Sequence, residues 1–185
     1  MRIPRLTPLA LVAALALVLG GCVPQDGKAT PAPSSSAIPA FATDEEALAA
    51  ATKAYAAYLA VTDAILMDGG ANPDREKEVA VRKQLKDDLA GFAKASKARA
   101  HSTGSTKFEK TQLQQYSPAR QGKNIVVVYL CEDVSAVDVL DANGVSLVSK
   151  SRPNRVSYEV TFDASKREAN QLLVADKEPW SGQIC

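Results

Sequence analysis

Residues 155–163 read RVSYEVTFD, an unbroken alternation with Val156, Tyr158, Val160 and Phe162 on one side and Ser157, Glu159 and Thr161 on the other. A period of two with one apolar side marks a strand of an antiparallel sheet, packed on one face and wet on the other. Upstream, residues 124–133 read NIVVVYLCED, apolar almost throughout, which suits a central strand covered at least in part on both faces. Between them, residues 137–148, VDVLDANGVSLV, contain Asn143-Gly144, the dipeptide that supplies positive φ at a tight hairpin turn. KFEKTQLQQY (107–116) predicts a weaker, polar strand before these, and NQLLVA (170–175) and WSGQIC (180–185) predict the closing strands.

Ahead of the strands the period is 3.6. In residues 43–70, Thr43 with Glu46 forms a capping box, and Asp44, Glu45 and Glu46 sit where a helix dipole favours negative charge. Leu48, Ala51, Tyr55, Tyr58, Leu59, Thr62, Ile65 and Leu66 define one buried stripe, and Gly69-Gly70 ends the helix. A second helix is predicted from NPDREKEV (72–79), with Asn72 as cap, Pro73 in the first turn, and Val81, Leu85, Leu89, Phe92 and Ser96 facing inward. Its alanines, with those of the first helix, predict an antiparallel pair of close approach. Two helices followed by five or six antiparallel strands give an α+β domain over residues 42–185, with helices on one face of a curved sheet.

The N-terminus is of another kind. Arg2 and Arg5, the apolar run from Leu9 to Leu19 and the small residues after it follow the order of an export signal. The run is too short for a permanent span, which takes roughly 20 residues. Leu19-Gly20-Gly21-Cys22 resembles a bacterial lipobox, which implies a signal peptide over residues 1–21 and a diacylglyceryl group on Cys22. Residues 23–41, VPQDGKATPAPSSSAIPAF, lack apolar periodicity, so residues 22–41 are expected to be a disordered, lipid-anchored linker. The expected location is the extracytoplasmic face of the cell membrane.

Without the signal, twenty Lys and Arg stand against twenty-one Asp and Glu, a balance that excludes nucleic-acid binding through phosphate contacts. With Cys22 taken by lipid, Cys131 and Cys185 remain as an even pair in an oxidising compartment and predict a disulfide. The lipobox, the Pro/Ala/Ser/Thr linker, the helical first half, the VVVYLCEDVSAVDVLDANG stretch and the terminal Trp180 and Cys185 together resemble exported actinobacterial lipoproteins. That resemblance implies the cone-shaped fold of nuclear transport factor 2-like (cystatin-like) domains.

Catalytic motifs are scarce. His101 is the sole histidine and falls where the second helix runs out, so it is read as a cation at a helix C-terminus. No GxSxG or SxxK supports a serine nucleophile. Glu132, Asp133, Asp138 and Asp141 surround the hairpin, but a calcium-loop alignment on Gly144 puts Val139 and Lys150 at the first and twelfth positions, where carboxylates are needed. No metal and no cofactor are expected. Tyr55, Tyr58, Tyr129, Tyr158, Phe162 and Trp180 are the candidate lining of a pocket between helices and sheet. The expected function is a non-catalytic, membrane-tethered binding or interaction module. Its expected partners are the membrane through Cys22, and an envelope protein, a cell-wall component or a small amphipathic ligand. The alternative is a cone-fold isomerase or hydrolase acting through Tyr or Asp.

Overall fold

The computed structural model describes residues 40–117, 125–168 and 170–185. The expected signal peptide, nearly all of the linker and Cys22 lie outside the described residues. In chain order the elements are α1 (Asp44–Met67), a 3-10 segment (Pro73–Glu78), α2 (Arg82–Ala98), β1 (His101–Thr103), β2 (Lys107–Tyr116), β3 (Val126–Asp133), β4 (Asp138–Leu140), β5 (Arg155–Ala164) and β6 (Leu172–Pro179). The domain is α+β, as the two periodicities predict.

The start of α1 follows its cap. Thr43 Oγ1 accepts from Glu46 N–H at 3.2 Å, while the Glu46 carboxylate reaches one residue beyond the usual box to accept from Ala42 N–H at 2.8 Å. Ala47, Ala51, Tyr55, Tyr58, Leu59 and Ile65 are its buried side. At its end Gly70 has φ +83°, and a Cβ there would lie 2.3 Å from the Phe92 carbonyl oxygen. Only glycine lets the two helices meet at that point.

The second helix differs from expectation at its start. Asn72 is left-handed and caps nothing with its side chain, and Pro73 opens a separate 3-10 segment. The chain then extends, because Ala80 docks beside β6: Val174 N–H donates to Val79 O at 2.9 Å and Val81 N–H to Val174 O at 2.8 Å. These sheet-type bonds replace the helical ones that a continuous helix would have made. Arg82 then anchors α2 with two bonds to the Asp163 carboxylate, Nε at 2.8 Å and the terminal nitrogen at 2.9 Å. Its inner side is Gln84, Leu85, Asp88 and Phe92, whereas Ser96 is exposed. Both helices pack on β6, and they meet one another through Tyr58 with Gln84 and Asp88.

β2-β3-β5-β6 form a four-stranded antiparallel sheet, and β1-β4 a two-stranded one. Register shifts in β2 between Glu109 and Gln112 and between Leu113 and Gln115, with Lys110 at φ 56°, bend the sheet. β3 and β5 pair Val126 with Phe162, Val128 with Val160 and Leu130 with Tyr158, which are the residues facing α1. The apolar side of residues 155–163 is thus realised as read, while Ser157, Glu159 and Thr161 opposite are half-buried rather than wet.

WSGQIC is not a strand. Trp180 stacks on Tyr129 at 4.0 Å between centroids, and Gly182 lies so close that a Cβ would come within 2.2 Å of the indole. Ser157 Oγ accepts from Ile184 and Cys185 N–H at 3.3 Å, and Cys131 and Cys185 stand at disulfide distance, 2.19 Å between sulfurs and 4.9 Å between Cα atoms. Ring stacking, side-chain bonds and the Cys pair hold this segment where ladder bonds were expected. His101 is likewise not a helix cap: Arg99 closes α2 in the left-handed region, and His101 opens β1 opposite Leu140.

Candidate functional site

Glu132 stands out from its apolar surroundings. It follows Val126, Val128 and Leu130 in step of two, so β3 turns a carboxylate into the apolar interior, where it is 6 % exposed. Two groups compensate: Tyr55 from α1 donates its hydroxyl to Glu132 Oε2, and Lys177 from β6 places Nζ 3.1 Å from the same oxygen. Lys177 Nζ also lies 4.6 Å from the Tyr158 ring centroid, a cation–π distance. Burial first and the Glu132 charge second push the Tyr55 hydroxyl well above its ordinary range. It stays a protonated donor.

A second polar group lies on the helix side. Gln84 Nε2 donates to Tyr58 Oη at 2.8 Å and to Asp88 Oδ1 at 2.9 Å, and Tyr58 in turn reaches Asp88 Oδ1 at 3.3 Å. Thr62 donates to Glu76 Oε1 at 3.2 Å. Glu76 is 0 % exposed, and its Oε2, like Asp88 Oδ2, has no donor among the protein groups. Protonation of a carboxyl lowers the cost of burying two such charges near one another. Burial first and the Asp88 charge second push Glu76 up to about 8, and burial also raises Asp88. Both shifts favour the protonated form, so burial works against two charges at this place.

The six aromatic residues expected around a pocket are divided by the sheet. Tyr55, Tyr58, Tyr158 and Phe162 are on the helix-facing side, with Tyr55 edge-on to Phe108 at 5.0 Å and Tyr58 5.6 Å from Tyr55. Tyr129 and Trp180 are on the opposite face, under the C-terminal segment. Tyr55 and Phe162 are 0 % exposed, so they fill the interior. The acids of the hairpin have local partners: Asp133 accepts from Ser135 N–H, Asp141 from Asn143 and Val145 N–H, and Asp138 from Ser146 Oγ. Among the described residues no cluster of three metal-ligating side chains occurs.

No family model matches the chain, and no curated protein does. Among solved structures the chain is similar to the intermembrane space region of the chloroplast protein ARC6, with a TM-score of 0.52 and 11 % identity over 73 % of this chain and 97 % of that one. At that identity the likeness concerns the fold alone.

Glu132 shares the strand parity of Val126, Val128 and Leu130, so its inward placement follows once the helix-facing side of β3 is known. Lys177, Glu76, Asp88 and Gln84 lack such a signal, because each reads as a solvated polar residue until tertiary contacts are known.

Proposed function

We propose that the chain is a lipid-anchored, extracytoplasmic binding or interaction module of the nuclear transport factor 2-like cone type, with its working surface on the outside of the domain. The observation that carries this reading is a filled interior: Tyr55, Tyr58 and Phe162 are buried against one another's surroundings at 0–2 % exposure. The polar groups among them are bound to one another. The lipobox-like Cys22 and the linker supply anchoring and reach. Partners are the membrane through a diacylglyceryl group, and an envelope protein or cell-wall component at the exposed face. Cell fractionation tests the anchor: Cys22→Ser moves the protein out of the membrane fraction, and retention of that variant in the membrane contradicts it.

One observation favours a second reading, an isomerase- or hydrolase-type enzyme. The Glu76–Asp88 pair and the Tyr55–Glu132–Lys177 cluster provide a proton donor and an acceptor in a desolvated setting. Under that reading Glu76→Gln abolishes turnover while the fold remains, whereas the module reading predicts unchanged partner binding.

A further inference from the structure

The end of the domain away from the linker carries an open sheet edge. Ala40 and Phe41 are held at one end, where the Phe41 backbone bonds to the Tyr116 hydroxyl at 2.8 and 2.7 Å. The 24 residues of α1 span about 36 Å, and near its other end Asp63 accepts from Thr106, just before β2. There β1 pairs with β4, and beyond the Asn143-Gly144 turn the chain returns alongside β4: Asp141 N–H donates to Val145 O at 2.9 Å and Leu147 N–H to Val139 O at 2.8 Å. Both bonds point inward, so the N–H and C=O of Ser146 between them point away from the sheet. Val145 and Leu147 are 59 % and 55 % exposed, the most exposed large apolar side chains among the described residues. A cleft of about 340 Å³ adjoins the edge, lined by Ser135, Ser146, Ser149, Lys150, Arg152 and Asn154 among others. Arg152 is tied to the Val134 and Val137 carbonyls at 3.0 and 2.8 Å, so Lys150, which is exposed, is the cation available to a ligand.

We propose that residues 145–147 and this cleft bind an extended peptide segment of another protein, added to the sheet edge, with aliphatic side chains on Val145 and Leu147 and an acidic group at Lys150. The proposal deepens the interaction-module reading and rests on it. Two other occupants fit less well. A second copy paired through so short an edge buries far less than the roughly 800 Å² per partner of a stable interface. A lipid surface offers no ladder partner to the outward N–H and C=O of Ser146.

The test is selection of random octapeptides on the purified full chain, followed by fluorescence anisotropy with the enriched peptides. The expected peptides alternate aliphatic residues and carry an acid, and they lose about tenfold or more in affinity for Leu147→Asp and for Lys150→Glu. Both residues are exposed, so the variants keep the parent melting curve. N-methylation of a bound peptide at alternate residues abolishes binding in one parity and spares it in the other, as ladder bonding requires. Peptides that bind but ignore the hairpin substitutions overturn this site and leave the interaction reading standing. Absence of any enriched peptide overturns the peptide site, while a partner captured by Cys22-anchored protein would still uphold the wider reading.

Discussion

Lys177 and Glu132 show how one buried pair is balanced. Their side chains are 17 % and 8 % exposed, so removing the cation leaves a carboxylate with only Tyr55 for compensation. Lys177→Met is expected to cost about 3–5 kcal/mol in urea unfolding, and adding Glu132→Gln should recover much of it. Additive losses would show that the two side chains do not act as a pair. Glu76 gives a pH dependence of definite sign. Its carboxyl is raised from an ordinary 4.5 to about 8, so the folded chain holds a proton that the unfolded chain releases. The contribution is complete below about pH 4.5 and is lost as pH rises through about 8. Calorimetry between pH 5 and 9 should therefore find the unfolding temperature falling across this range, with Asp88 adding in the same direction. Glu76→Gln, which cannot ionise, should flatten that fall; an unchanged slope would contradict the raised Glu76 carboxyl.

At the level of elements, Gly70 and Thr43 set the limits of α1 by different means. Gly70→Ala places a methyl group on the Phe92 carbonyl at a positive φ and is expected to destabilise the domain by about 1–3 kcal/mol or more, read from denaturant midpoints. Thr43→Ala removes only the cap bond and should cost about 1 kcal/mol. These sizes parallel what the sequence reveals. α1 is legible throughout because its cap and its stripe of Ala51, Tyr55, Tyr58 and Ile65 are local signals. The start of α2 is not, since Asn72-Pro73 is an equally good opening for a 3-10 segment, and the extended Val79–Val81 stretch depends on Val174, remote in sequence. β5 is legible from parity alone. WSGQIC has too few residues for parity to separate a strand from a segment held by Tyr129, Ser157 and Cys131. For the site, burial predicts Tyr55, and parity groups Glu132 with Val128 and Leu130 and sets Tyr129 apart from them, but β3 is apolar on both faces, so the sequence does not tell which face the helices cover.

Across the whole molecule, the Cys131–Cys185 pair joins the last residue to the central strand over a separation of 54 residues. A bond there restricts the unfolded chain by up to about 4 kcal/mol, and it keeps Trp180 and Ile184 over the outer face of the sheet. Reduction should lower the melting temperature and raise amide exchange at residues 180–185 and at Ser157, with little change in α1. The filled interior and the hairpin edge at the far end of α1 are the two features on which the proposed interaction surface rests. The anchor and the interaction surface are tested together by native mass spectrometry of the protein extracted gently from its own envelope. The account predicts a chain that begins at Cys22, carries the mass of a diacylglyceryl group, and retains a protein or cell-wall component. A chain without lipid, or one holding a small molecule that Tyr55 and Glu132 substitutions release, would contradict it.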